Sequence, residues 1–300
     1  SKWRPLMVFS KESFLKLWTL GSKVLITNLI TNFIGNIDSF IIGKVYGINP
    51  LGLYSRAKGL VNVVNSIFIG SLNSLSFSLL SKNNDNFDEF VRLHKKIFSY
   101  SFFLLIIITI LISANSEAII ISLYSEKWRE SIVFLEIMIF LLFPIFTNAF
   151  SSQTLLALGD GSYYLKLFLV KKMILIFVFP VAYIYDLKTF VYSYVLLSLT
   201  SCFIDIYFLS KRLKISYKFY FSDFKMVMPI SVIAFGCSYL TRKIFIEQYM
   251  IEQYIIIMFV SLIFSSVVLL IFLELFKPIN YIKVRALLIN QIKGLIDKNK

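Results

Sequence analysis

The chain has 300 residues, of which 58% are hydrophobic, and 31 Lys and Arg against 17 Asp and Glu give a formal net charge of +14. Globular domains are roughly half apolar, so this composition, with a mean hydropathy of +0.77, excludes an ordinary soluble domain and indicates an integral membrane protein. The cations sit in short segments between apolar runs, the pattern of cytoplasmic loops and not of a nucleic-acid-binding face. Cys202 and Cys237 lie in apolar runs and His94 is the one histidine, which argues against a disulfide framework or a zinc site, and no cofactor is expected.

A membrane-spanning helix needs about 20 largely apolar residues. Eight runs qualify in chain order: Leu17 to Ile42, Leu60 to Leu80, Ile97 to Ile112, Ile132 to Leu156, Tyr164 to Tyr185, Phe190 to Leu209, Met226 to Leu240 and Tyr254 to Leu273. Gly47 and Pro50, "KNNDN", "GDG" and Lys277-Pro278 punctuate them. Residues 1–16 form a cytoplasmic lead-in, 17–209 a six-helix lobe, 210–225 a basic loop, 226–273 two further spans and 274–300 a basic amphipathic tail. Between the third and fourth spans, Glu117 to Trp128 is too short to cross and is expected to be an interfacial helix. The chain starts at Ser1 and its first apolar run is too long for a cleavable signal, so an N-terminal part is expected to be missing. Sorting each cation by its loop puts 22 on one side and 8 on the other, with Lys23 alone inside a span. The positive-inside rule then places both ends in the cytoplasm.

The first span carries "TNLITNFIGNIDSF". At 100° per residue, with Asn28 at zero, Asn32 falls at about 40°, Asn36 at about 80° and Asp38 at about −80°, while Ile26, Ile30, Phe33 and Ile37 cover the far side. In the second span, with Lys58 at zero, Tyr54, Ser55, Asn62, Asn65, Ser66, Asn73 and Ser76 fall within about −40° to 80°. Arg56 points away, at about 160°. Asparagine stripes can glue helices together. Two stripes with ionisable Lys23 and Asp38 favour a hydrated cavity over glue. Lys23 and Asp38 are about 22 Å apart along the axis, too far for an ion pair. Lys171 and Lys172 are expected to snorkel to headgroups, as is Arg56, and Asp205 to pair with Lys211 or Arg212.

The order of "SFLKLWTLGSKVLITNLITNFIGNIDSFIIGKVYG", "LGLYSRAKGL", "LYSEKW" and "LGDGSYYLKLFLVKK" resembles the second half of bacterial polysaccharide flippases of the lipopolysaccharide (O-antigen) type, in the multidrug/oligosaccharidyl-lipid/polysaccharide exporter superfamily. The resemblance covers essentially the whole chain. It implies an all-α fold of fourteen helices, here one six-helix lobe plus two extra helices, with a missing N-terminal lobe as partner. It also implies that the first two helices of the lobe line a cavity, so that Lys23, Asn28, Asn32, Asn36, Asp38, Tyr54, Lys58, Asn62 and Asn65 would face the cargo. Arg56, Lys171 and Lys172 are possible headgroup contacts. The implied cargo is an undecaprenyl-pyrophosphate-linked oligosaccharide carried across the bacterial inner membrane by alternating access, with membrane lipids as the remaining partner.

Other readings stay open at this stage. One is an exporter of a peptidoglycan precursor, teichuronic-type polymer or drug. Another is a glycan-assembly enzyme, either a polymerase or a glycosyltransferase; the acidic stretch "NNDNFDEF" is its one candidate, and it sits among Lys82, Arg92, Lys95 and Lys96 as a solvated loop would. The chain lacks GxxxxGK[ST], HExxH and GxSxG motifs, which lowers the case for an enzyme.

Overall fold

The computed structural model describes residues 11, 35–221, 236 and 254–276. The seventh predicted span, the 274–300 tail beyond Phe276 and most of the first span lie outside them. The chain divides into two compact units, Ser1–Leu51 and Gly52–Lys300. Every element among the described residues is helical, and this is an all-α membrane protein.

In the first unit, α1 spans Ile37–Val45. It is followed by Gly47, whose φ of 95° belongs to the left-handed region that glycine tolerates best. This turn starts α2, Ile48–Ser81, a 34-residue helix about 51 Å long. It begins twelve residues ahead of the expected span, because the polar "YSRAKG" segment is helical too. An embedded π-helical turn, Asn65–Ile69, interrupts it.

The second unit continues with α3 (Phe87–Ala114), α4 (Ser116–Tyr124), α5 (Ser131–Ala157), α6 (Gly161–Ile176), α7 (Phe179–Ile184), α8 (Leu187–Leu213), α9 (Tyr217–Phe221) and α10 (Tyr254–Phe276). Of these, α2, α3, α5 and α8 are long and apolar enough to cross a membrane. The fifth predicted span is corrected to two helices. Pro180 has no N–H for the Ile176 carbonyl and its ring crowds that carbonyl, so α6 stops at Ile176 and α7 starts anew. Pro144 acts more mildly on α5, where the preceding turn, Ile139–Leu141, tightens to a 3₁₀ form. The "NNDNFDEF" segment is a helix start. Asn86 Oδ1 accepts the Glu89 N–H at 3.1 Å, capping α3, and Glu89 forks onto Arg92 at 2.7 Å through both oxygens.

Helix α5 is the hub, packing on α8, on the second half of α2 and on α3. Its buried residues Leu135, Met138, Ile139, Leu142, Phe146 and Phe150 recur at helical spacing and give it one continuous apolar face. α10 packs on α4 and α3. At one end of the hub, Phe98, Phe102, Phe146 and Phe150 stack in a cluster around His94, which is fully buried. The Thr154 hydroxyl donates to the Phe150 carbonyl at 2.9 Å. Its lone pair therefore faces His94 Nδ1 at 3.2 Å, which makes Nδ1 the protonated nitrogen and leaves Nε2 to accept the Tyr220 hydroxyl at 2.9 Å. Burial pushes the Tyr220 pKa up, so the phenol keeps the proton it donates. This clasp ties α9 to α3 and α5.

Helix α5 ends in a Schellman turn. Gly159 (φ 76°) donates to the Leu156 carbonyl at 3.0 Å and Asp160 to the Leu155 carbonyl at 2.9 Å. Gly159→Ala is expected to cost about 1 kcal/mol through its left-handed backbone; the thermal midpoint of the detergent-solubilised protein reads it. Tyr220→Phe leaves His94 Nε2 buried without a donor and is expected to cost about 1 to 3 kcal/mol in the same measurement.

Candidate functional site

The predicted site residues divide by what surrounds them. Lys23, Asn28 and Asn32 lie outside the described residues, as does the side chain of Lys172. In the first unit Asn36 is exposed and Asp38 is buried in the first turn of α1, where the positive end of a helix dipole favours a carboxylate.

On α2, Tyr54 is buried and Lys58 half-buried, with the ammonium 5.8 Å from the Tyr54 ring centre. Asn62 is exposed and Asn65 and Asn73 are half-buried. Among the described residues the three amides make no hydrogen bond, although they occupy the middle of a helix far longer than the ~30 Å hydrocarbon layer. The neighbouring serines differ: Ser66, Ser71 and Ser74 donate back to the carbonyls of Val63, Ile67 and Ser71 at 2.9, 2.7 and 3.1 Å. Their hydroxyls are satisfied by their own helix, so they need no polar surroundings. The π-turn also bends the predicted stripe. It takes up one extra residue, so everything beyond it lags by about 100°. Ser76, expected beside Lys58, is buried.

Arg56 is exposed and lies across two aromatic rings. Its guanidinium sits 5.0 Å from the Tyr124 ring centre and 4.5 Å from that of Trp128. The edge of Trp128 also rests over Gly52, one turn earlier on α2, where an added Cβ would stand 3.5 Å from it. Trp128 is held in turn by its neighbours. Arg129 bonds Glu126 and reaches Glu117 at 2.5 Å, and these carboxylates raise the Arg129 pKa, Glu126 first. The segment expected to be an interfacial helix is thus α4 followed by a 3₁₀ turn, Glu126–Trp128, and its aromatic residues dock on α2.

The snorkelling expected of Lys171 is not what the structure shows, and the partner expected for Asp205 is replaced. Lys171 Nζ donates to Asp205 Oδ1 at 2.6 Å and to Asn148 Oδ1 at 2.6 Å. Its side chain is 9% exposed and that of Asp205 0%. Ser151 Oγ lies 2.9 Å from the same carboxylate oxygen. Arg212 instead pairs with Asp160. A cation snorkels when no carboxylate is in reach; α6 and α8 pack together and bring residues 34 positions apart to one depth. Sequence reasoning missed Asn148 and Ser151, although their spacing of three puts them on one face of α5. Among the described residues no three His, Cys, Asp or Glu side chains gather as metal ligands would.

With this geometry in place, comparison with known proteins is informative. Residues 1–133 match the family described as "Polysaccharide biosynthesis protein". The Teichuronic acid biosynthesis protein TuaB of Bacillus subtilis (strain 168) is 24% identical over 261 residues, covering 83% of this chain and 53% of TuaB. The chain therefore spans about half the length of that relative. No solved structure matches it significantly.

The stacking of Arg56 is expected to be worth about 0.5 to 2 kcal/mol. Arg56→Ala in a Trp3→Phe, Trp18→Phe background, where Trp128 is the one tryptophan of this chain and is excited selectively, is expected to lower the thermal midpoint and shift the emission to the red. Arg56→Lys is expected to recover little of either, since an ammonium cannot stack as a planar guanidinium does. The motif order, the family match over the first 133 residues, the similarity to TuaB and the apolar helices agree: this is a multi-pass membrane protein similar to polysaccharide biosynthesis proteins.

Proposed function

We propose that the full-length protein flips an undecaprenyl-pyrophosphate-linked oligosaccharide from the cytoplasmic to the outer leaflet, as a transporter and not an enzyme. The observation that carries this reading is the set of unbonded amides at Asn62, Asn65 and Asn73 on the central part of α2, in a chain related to polysaccharide biosynthesis proteins. Amides that glue helices together do so by bonding across them. Amides at membrane depth without such bonds call for water or a polar ligand. A sugar headgroup in a hydrated path supplies both.

The barrier to be lowered is large. A single charged side chain at the bilayer centre already costs about 2.5 to 3.5 kcal/mol on insertion scales, and a pyrophosphate with sugars far more. In this reading Lys23 and Lys58 attract the pyrophosphate, while Asn28, Asn32, Asn36, Tyr54, Asn62 and Asn65 bond sugar hydroxyls. Asp38 limits the net positive charge of the wall. The polyprenyl tail stays in lipid, and a second lobe rocks against this one around a midplane site. The excess of cations in alternate loops supports a cytoplasmic location for both ends of this chain. A second cargo, the precursor of a teichuronic-type polymer, is favoured by one observation, the name borne by the Bacillus relative.

Depleting the full-length protein is expected to leave lipid-linked oligosaccharide on the cytoplasmic leaflet, where a membrane-impermeant glycan-modifying enzyme added from outside cannot reach it. Precursor that accumulates already translocated would instead identify a polymerase. The sugar composition of the accumulated precursor decides between the two cargoes. In complementation, Lys58→Ala with Asn62→Ala and Asn65→Ala is expected to lower the translocation rate about tenfold or more, in line with the loss of one or more charge-assisted hydrogen bonds, with the thermal midpoint little changed.

A further inference from the structure

The Lys171–Asp205 pair is an expensive arrangement for a membrane helix bundle. Buried ion pairs are often no more stabilising than packed apolar residues of the same volume, and this one is incompletely satisfied. Asp205 Oδ1 receives Lys171 and Ser151, while no group meets the buried Oδ2 in hydrogen-bond geometry, the Thr147 hydroxyl lying close to the carboxylate. The ammonium uses two of its three N–H groups, on Asp205 and Asn148.

The cluster is also graded in exposure. Asp205 is completely buried and Lys171 almost so, whereas Asn148 is exposed. Because the Asn148 oxygen must face the ammonium, its NH₂ group faces the open side. The accessible edge therefore offers the two amide hydrogens of Asn148, with the ammonium of Lys171 directly behind them. An exposed polar group at the middle of a 27-residue apolar helix is tolerated where it lines a water-filled path.

We propose that Asn148 and Lys171 form a docking point for a phosphate oxygen of a lipid-borne headgroup, and that Asp205 is the positioning residue that fixes the ammonium there. This rests on the flippase reading above and adds to it a contact on α5 and α6, away from the asparagine stripes. A donor-only edge selects an acceptor, and the positive charge behind the donors selects an anionic one. Asp205 does more than hold the lysine. By cancelling most of its charge it keeps the headgroup from binding too tightly to be released, as transport requires of any site along a path. No bond is made or broken; the exposed amide hydrogens of Asn148 take a phosphate oxygen in front of the ammonium.

The test measures binding of undecaprenyl pyrophosphate to full-length protein in phosphatidylcholine nanodiscs. Lys171→Gln is expected to weaken binding by roughly tenfold or more, and Asp205→Asn to tighten it while slowing leaflet transfer. The deciding variant is the exchange Lys171→Asp with Asp205→Lys, which keeps the ion pair and roots the ammonium on α8 instead of α6. Loss of binding with the thermal midpoint preserved supports the proposal, and wild-type binding and transfer in that variant overturn it. Should the exchange fail to fold, Asn148→Asp at the exposed edge decides: unchanged binding overturns the proposal, and binding lost with the fold retained supports it. Phosphatidylglycerol added to the nanodiscs separates two sources of phosphate. If it displaces the probe at equal concentration, the docking point belongs to bulk lipid and its assignment to cargo is overturned. Wild-type protein that binds the probe at this point yet transfers nothing counts against the flippase reading and leaves this inference standing.

Discussion

Within a bilayer a polar group that finds no partner inside the protein finds none at all, and most of the local structure follows from that constraint. It dictates helices, since these alone satisfy the backbone within one segment. The same constraint explains the small polar side chains. Thr154 and Ser152 bond back to carbonyls one turn earlier on α5, as do Ser66, Ser71 and Ser74 on α2. Larger polar groups need partners from other helices. His94 has them from α5 and α9, and Lys171 from α5 and α8. The amides of α2 stand apart from this economy because nothing within the described residues satisfies them. That contrast, more than the count of asparagines, is what the proposed headgroup path rests on.

The sequence makes the helical membrane character, the sites of several breaks and the relationship to polysaccharide biosynthesis proteins legible. Hydropathy accumulates over twenty residues, so α5 and α8 are found at nearly their observed limits, whereas α3 starts ten residues ahead of its apolar run, at the polar segment that Asn86 caps. Short-range chemistry is readable too, as "GDG" shows at the end of α5. What escapes is whatever depends on a single extra residue or on a distant partner. The π-turn at Asn65–Ile69 leaves no compositional mark, yet it rotates the second half of α2 and takes Ser76 out of the predicted stripe. Pro180 was visible in "VFPVAY", but only the crowding of the Ile176 carbonyl converts one long run into α6 and α7. Lys171 and Asp205 were each visible as intramembrane charges, and their pairing required knowing that α6 and α8 are neighbours.

Arg56 shows how a residue outside the polar stripe acquires a role. Facing away from Lys58, it would meet lipid if α2 were alone. The α4 segment supplies Tyr124 and Trp128 as two ring faces, and Arg129 steadies the turn through Glu117 and Glu126. A guanidinium is weakly hydrated and planar, which suits it to such a stack better than an ammonium. The long helix is thereby fastened near its start by aromatic packing, and the π-turn and the unbonded amides lie beyond that mooring.

The distribution of charge along the proposed path makes one further point. A wall of unopposed cations would bind a pyrophosphate strongly and retain it, and retention is as damaging to transport as exclusion. Here the basic groups are individually tempered. Lys58 lies beside the Tyr54 ring, and Lys171 is nearly neutralised by Asp205. The amides of α2 would attract through dipoles, which fall off faster with distance than charges do. Anionic cargo moving along such a surface exchanges one modest contact for another of similar strength, and no single position becomes a trap. On this argument Asp205 and the asparagines serve the same end, that of keeping every step of the path shallow.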